Sequence, residues 1–363
     1  MKITANRLDR GFERYQEEFE EAALKVLRSG WYVLGPSVEK FEQEFASYTG
    51  AKYAVGVASG LDALILAFRV LGIKEGDEVI VPANTYIASV MGVTINGATP
   101  VFVEPDEFHN IDASRIEEAV TENTKAVLVV HLYGQACEMD RITEICRKHN
   151  LKLVEDCAQS HGAKYNGQMT GTFGDIGCFS LYPSKNLGAF GDGGAIVTNG
   201  ENYAADLKML RNYGSRKRYY FEEVGMNSRL DEMQAALLSV RLKHLDELNE
   251  EREMLANRYL TGIKNGKIIL PIIRKNATTV WHQFVITTSK RDELIDYLKE
   301  KEIGSIIHYP IPPHLSECYR NLNYKEGDFP VTEKDAHEVL SLPFYNGMTE
   351  EEQAYVIDAL NRF

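Results

Sequence analysis

A lysine between two apolar strands is the residue whose placement first suggests chemistry. Lys185 lies on a short polar, Gly-rich loop that joins IGCFSLY (176–182) to GAIVTN (194–199). An amine held there loses solvation, its pKa falls, and the free base can form a Schiff base with an aldehyde. Taken alone, a loop lysine is more often simply solvated. Its company argues otherwise. About thirty residues earlier, Asp156 ends the strand LKLVED (151–156). A carboxylate at the end of a buried strand is costly unless it meets a cation, such as a protonated pyridine nitrogen. A third feature suits an anion: Ser59-Gly60-Leu61 follows a strand and opens a helix, so its amides and the helix dipole point at a common spot. Read alone, that tripeptide is equally an N-cap serine with a turn glycine.

Other segments narrow the choice. Gly188 to Gly194 matches neither G-x-x-x-x-G-K-[ST] nor G-x-G-x-x-G, which excludes a triphosphate loop or a dinucleotide fingerprint, and its glycines are expected to let the backbone turn. RNYGSRKRYY (211–220) gathers Arg211, Arg216, Lys217 and Arg218 with Tyr213, Tyr219 and Tyr220. Such a basic, aromatic patch can meet a pyrophosphate and stack a base, although a solvated surface loop is the competing reading. The five cysteines are odd in number and scattered, with no C-x-x-C pair, so most read as core thiols and no metal site is expected.

These residues need elements to position them. Helical patterns run from Glu17 to Arg28 and from Ser37 to Ser47, the second with Pro36 at its start and Gly50 beyond its end. From Tyr53 the chain alternates: YAVGV as strand, a helical repeat of Leu61, Leu64, Ile65, Phe68 and Leu71, then EVIVP as strand. TPVFVEP (99–105), KAVLVVH (125–131) and LKLVED continue the rhythm, with helices near 113–120 and 139–149. Runs this apolar suit strands buried on both faces of a mostly parallel sheet. A long charged helix is expected over 229–260, then a second domain lacking such runs. The division falls at 1–244 for the N-terminal segment and large domain and 245–363 for the small one.

Composition sets outer limits. At 363 residues the chain is long enough for two domains, and 44% hydrophobic with 26% charged residues describes a globular protein. A formal net charge of −13 argues against general binding of nucleic acid or a membrane surface, so any anionic ligand must be held locally. No run approaches a transmembrane span, and the charged start MKITANRLDRGFERYQEEFEEA reads as that of a cytoplasmic protein.

Together, YVLGPSVEKFEQEFA, VASGLDALILA, DEVIVPANTYIAS, VHLYGQACEMD, VEDCAQSHGA, FSLYPSKNLGAFGDGGAIVTN and GMNSRLDEMQAALL resemble the DegT/DnrJ/EryC1/StrS family of sugar aminotransferases, across essentially the whole chain. The resemblance implies an α/β fold-type I architecture: a large domain with a mostly parallel seven-stranded sheet between helices, and a smaller C-terminal α+β domain. It also implies pyridoxal 5'-phosphate as cofactor, with pyridoxamine 5'-phosphate as its aminated form. Lys185 would hold the cofactor and move the proton, Asp156 would bind the pyridine nitrogen, and Gln159 would sit by the ring hydroxyl. Ser180 joins Ser59, Gly60 and Leu61 at the phosphate, Tyr86 stacks on the ring, and Asn227 is supplied across the interface of an obligate homodimer. Arg211, Tyr213, Arg216, Lys217 and Tyr219 would meet the nucleotide sugar, with His308 and Tyr309 near its hexose.

By likeness, the expected reaction moves an amino group from L-glutamate to C3 of a dTDP-3-keto-6-deoxyhexose, making amino sugars for a surface polysaccharide or glycan such as lipopolysaccharide or an S-layer. The alternatives are a C4 aminotransferase acting on a dTDP- or UDP-4-keto-6-deoxyhexose, a dehydratase on the same scaffold, and a regulatory member. Relatives that dehydrate replace the lysine with His, and here Lys185 is present.

Overall fold

The computed structural model describes residues 1–363, and its elements follow in chain order. Helices α1 (Leu8–Glu13), α2 (Gln16–Ser29) and α3 (Pro36–Thr49) lead into β1 (Tyr53–Val57), α4 (Gly60–Val70), β2 (Glu78–Pro82), α5 (Ile87–Thr94) and β3 (Thr99–Val103). Next come α6 (Ala113–Ile116), β4 (Thr124–Val130), α7 (Met139–His149), β5 (Lys152–Asp156) and a small hairpin, β6 (Lys164–Tyr165) and β7 (Gln168–Met169). β8 (Ile176–Ser180), β9 (Gly194–Thr198), α8 (Glu201–Leu210), α9 (Glu232–Lys243) and α10 (Leu245–Gly262) complete the first part. β10 (Val285–Thr287), α11 (Arg291–Glu300), α12 (Pro330–Glu338), β11 (Val339–Ser341) and α13 (Glu350–Arg362) form the rest.

Seven strands make one sheet in the order β1-β9-β8-β5-β4-β2-β3. β9 runs antiparallel to β1 and β8, and every other neighbouring pair is parallel. The apolar runs explain this, since Val127, Leu128 and Val129 on β4 and Val154 on β5 are sealed on both faces. In an open sheet of this kind the carboxyl ends of the parallel strands form the natural crevice. β5 brings Asp156 to that edge.

Helix starts are set by distant residues. Glu232 of α9 accepts hydrogen bonds from the amides of Gly35, Ser37 and Val38 at 2.8 to 2.9 Å, which caps α3 where Pro36 supplies no donor. The single helix expected over 229–260 is two helices that meet at His244 (φ −104°, ψ 2°). There the imidazole stacks on Tyr15 at 3.9 Å and bonds Glu18, so tertiary contacts hold a break that no Gly or Pro marks.

The C-terminal part has its own apolar core, including Leu255, Tyr259, Trp281, Phe284, Leu298 and Val356, beside the two-stranded sheet of β10 and β11. Ile3 is packed in this core and bridges Ile303, so the first residues cross the division drawn at 244. No helix is long and apolar enough to cross a membrane.

Candidate active site

Asp156 is 6% exposed at the end of β5. Its Oδ2 accepts a 2.7 Å hydrogen bond from Ser89 Oγ and its Oδ1 a 3.0 Å bond from the Ala158 amide. Burial raises its pKa, and those two donors with the charges of Lys185 and His131 oppose the rise. No arginine or lysine pairs with it, so a buried carboxylate faces the crevice in want of a cation. Ser89 Oγ lies 2.7 Å from Thr85 Oγ1, and both residues are buried at the start of α5, so a short hydroxyl chain orients the acid.

Lys185 is partly exposed as a residue, yet enough protein surrounds its amine that burial lowers its pKa to about 8, with Asp156 opposing. A neutral fraction of the amine is therefore present near neutral pH, as a nucleophile toward an aldehyde requires. The Gly-rich segment that follows does not turn through left-handed backbone. Gly188 and Gly194 have ordinary φ, and a Cβ on either would lie 2.4 Å from Pro183 O or 2.3 Å from Ser59 O. Close approach, not the expected turning freedom, requires them.

The tripeptide opens α4 beside β8. Ser59 is the N-cap of α4 and accepts from the Asp62 amide at 3.1 Å. A Cβ at Gly60 would sit 2.6 Å from Ser180 Cβ, so the opening of α4 lies directly against Ser180 at the end of β8. Gln159 is buried, its Oε1 accepting from the Tyr133 amide at 2.6 Å and its Nε2 donating to Tyr309 Oη at 3.1 Å. The Tyr309 ring is 5.1 Å from that of Tyr86, which is exposed on the same rim. Carboxylate, amine, helix N-terminus and aromatic rim together suit a phosphorylated pyridine aldehyde.

Part of the expected basic patch needs correction. Arg211 is buried, not on the basic patch: Nη1 donates to Glu42 and to Gly56 O at 2.7 Å, tying α3 to β1. Arg216 is neutralised between Asp206 and Glu222. Lys217 and Arg218 remain outward, each over a tyrosine ring, Tyr220 at 4.7 Å and Tyr219 at 4.9 Å. Tyr213 is exposed beneath Arg229. Asn227 is exposed and its side chain makes no hydrogen bond within the chain, although its backbone bridges Asn212. The His308 ring is bonded at both nitrogens, Nδ1 to Ser341 Oγ at 2.8 Å and Nε2 to Gln283 Nε2 at 2.9 Å.

Sequence reasoning gave no role to Ser89, Thr85 and His131, although they lie within the segments DEVIVPANTYIAS and VHLYGQACEMD. His131, Glu155 and Cys157 bring possible metal-ligand atoms within 4.8 Å of one another. Glu155, however, is already filled: it accepts from the amides of Gly171, Phe173 and Gly174 at 2.7 to 2.8 Å and meets His131 Nε2 at 3.0 Å. Burial also holds the Cys157 thiol well above its usual range, in its protonated form.

The sheet order with this site defines a pyridoxal-phosphate-dependent aminotransferase of fold-type I. The model of the DegT/DnrJ/EryC1/StrS aminotransferase family matches residues 13–361, and the chain belongs to that family. It is 52% identical over 96% of its length to the dTDP-3-amino-3,6-dideoxy-alpha-D-galactopyranose transaminase of Aneurinibacillus thermoaerophilus, 96% of which is covered. It is 48% identical to the dTDP-3-amino-3,4,6-trideoxy-alpha-D-glucose transaminase of Streptomyces venezuelae, over 98% of this chain and 94% of that one. The crystal structure of S. venezuelae DesV in complex with a ketimine intermediate superposes with a TM-score of 0.98, at 48% identity, covering 99% and 98% of the two chains. Further sugar aminotransferase structures, at 27% identity, are of PLP and PMP forms. Pyridoxal phosphate is the cofactor.

Proposed function

We propose that the protein transfers an amino group from L-glutamate to C3 of a dTDP-3-keto-6-deoxyhexose. The observation that carries the chemistry is Lys185, an amine whose pKa burial lowers to about 8, facing a buried Asp156 that has no cation of its own. What favours C3 over C4 is that both relatives described above are named as transaminases of dTDP-3-amino sugars.

The bound cofactor supplies an electron-withdrawing ring that stabilises negative charge at the carbon bearing the amine. Asp156, held by Ser89 and Ala158, would bind the ring nitrogen and keep it protonated. The α4 N-terminus at Ser59, Gly60 and Leu61, with Ser180, binds the phosphate. Gln159 would serve the ring hydroxyl and Tyr86 would pack on the ring. Lys185 Nζ would hold the cofactor and move the proton, as base and then acid, in both half-reactions. Lys217, Tyr219 and Tyr213 offer charge and aromatic surface to the nucleotide, and Tyr309 borders the hexose.

The site is shared in this reading. Trp31, Tyr32, Tyr220, Phe221 and Val224 are each large, apolar and exposed, as residues covered by a second copy would be. Asn227, without a partner in its own chain, would reach the cofactor of that copy in an obligate homodimer. A cytoplasmic enzyme making amino sugars for a surface polysaccharide or S-layer glycan fits this chemistry.

The deciding experiment follows the visible spectrum of the holoenzyme. Glutamate should bleach the cofactor band, and a 3-keto, not a 4-keto, dTDP-6-deoxyhexose should restore it. Recovery with the 4-keto sugar alone would make the enzyme a C4 aminotransferase, and no response to glutamate would reopen elimination.

A further inference from the structure

Gln159 can serve a ring hydroxyl as a donor only if the nitrogen end of its amide faces that oxygen. Oε1 accepts from the Tyr133 amide at 2.6 Å, and Nε2 donates to Tyr309 Oη at 3.1 Å. These two partners are not equivalent. A phenol hydroxyl can give or take a hydrogen bond, so Tyr309 would tolerate either orientation of the amide. A backbone N–H can only donate, so Tyr133 admits Oε1 alone on its side. The choice therefore lies with Tyr133. It leaves the second N–H of Nε2 without a partner in the chain.

Tyr133 meets Gln159 from left-handed backbone. In the turn after β4 it has φ 59° and ψ 5°, a conformation that a bulky aromatic residue seldom adopts and that costs free energy. Its surroundings hold it there. The phenol donates to the carbonyl of His308, the ring meets the His109 ring edge-on at 5.7 Å, and Gly134, the next residue, accepts from the Val280 amide at 3.0 Å. A Cβ on Gly134 would lie 3.2 Å from Gln159 O, so the turn is packed against the backbone of the residue it orients. Val280 and His308 belong to the C-terminal part, which thus locks a strained turn that opens from the large sheet.

We propose that Tyr133 is a positioning residue whose left-handed backbone amide turns Gln159 so that an N–H, and not the amide oxygen, is offered to the cofactor's ring hydroxyl. The proposal rests on the placement of Gln159 in the reading above. An N–H given to that oxygen favours the form in which the oxygen carries the negative charge, and so lowers the pH at which the visible cofactor band titrates. An amide oxygen turned toward it would do the reverse.

The test is the pH titration of that band in wild-type, Q159L, Y133A, Y133G and Y133A/Q159L holoenzymes. Q159L should raise the midpoint by about one to two pH units, the worth of one hydrogen bond to a charged group. Y133A loses the phenol anchor and is strained at positive φ, so it should raise the midpoint in the same direction. Y133G adopts that φ without strain and should return most of the difference. In the double variant, Y133A should add nothing to Q159L. A side chain that only fills space predicts the opposite order, with glycine worse than alanine, and that order overturns the proposal. A wild-type midpoint in Y133A does so too, as does a Y133A shift that persists in full beside Q159L. Should Y133A not fold, Y133F decides in its place: loss of the bond to His308 should raise the midpoint, and a wild-type value overturns the proposal. An unchanged midpoint in Q159L removes Gln159 from the ring hydroxyl, and with it the reading beneath the proposal, before any change is made at Tyr133.

Discussion

Lys185 and Asp156 form a pair in which each side chain adjusts the other. The amine is lowered to about 8 because burial outweighs the attraction of Asp156. Only the neutral amine attacks an aldehyde, so the rate of pyridoxal phosphate uptake by apoenzyme should climb with pH between 7 and 9, flattening above about 8. A rate independent of pH over that range would contradict it. Lys185→Ala should remove the visible cofactor band while leaving Tm unchanged, since the amine makes no hydrogen bond or ion pair; a persistent borohydride-trapped cofactor would place the Schiff base on another lysine. Ser89 is a positioning residue behind Asp156. Ser89→Ala should lower kcat by about tenfold, the worth of one hydrogen bond to a charged group, with KM for the sugar little changed. Recovery in Ser89→Thr would support that role, and a loss seen only in Tm would refute it.

At the scale of elements, the anion site depends on α4 meeting β8 without a side chain between them. Gly60→Ala would bring a methyl within 2.6 Å of Ser180 Cβ and 2.9 Å of its Cα. The expected result is a destabilisation of about 1–3 kcal/mol together with weaker cofactor retention on dialysis. An alanine variant holding cofactor as wild type does would show that the helix can shift freely. Most elements were legible in the sequence because their periodicity is strong: α7, expected near 139–149, runs Met139–His149, and β5 ends on Asp156. The break at His244 was not, because it is held by Tyr15 and Glu18, more than two hundred residues away. Arg211 misled for a similar reason: among Arg216, Lys217 and Arg218 it looks like one more surface cation, yet Glu42 draws it inward.

For the whole molecule, acid sensitivity follows from its buried imidazoles. Burial lowers His161 to about 3, with neither ring nitrogen hydrogen-bonded, and lowers His282 well below its usual value. Unfolded, each takes a proton near pH 6.5, so their contribution is complete above that pH and is lost as pH falls toward the folded values. Stability should drop below pH 6.5 by up to about 1.4 kcal/mol per pH unit for each ring. A flat Tm between pH 6.5 and 4.5 would mean these rings bind protons in the native state. The dimer is tested by sedimentation with activity: an active monomer would remove Asn227 from the site.

The sequence by itself determined the sheet-building strands, the lysine loop, the acid at the end of β5 and the serine-glycine start of α4. Each is written in local patterns of apolar spacing and residue type, and local patterns survive without knowledge of the fold. Only the tertiary structure decided which hydroxyl steadies Asp156, that His308 bonds Ser341, and that Glu42 draws Arg211 inward. Those outcomes depend on side chains from elements far apart in the chain, where a hydrogen bond or a missing counter-ion exists only once packing has brought both sides together.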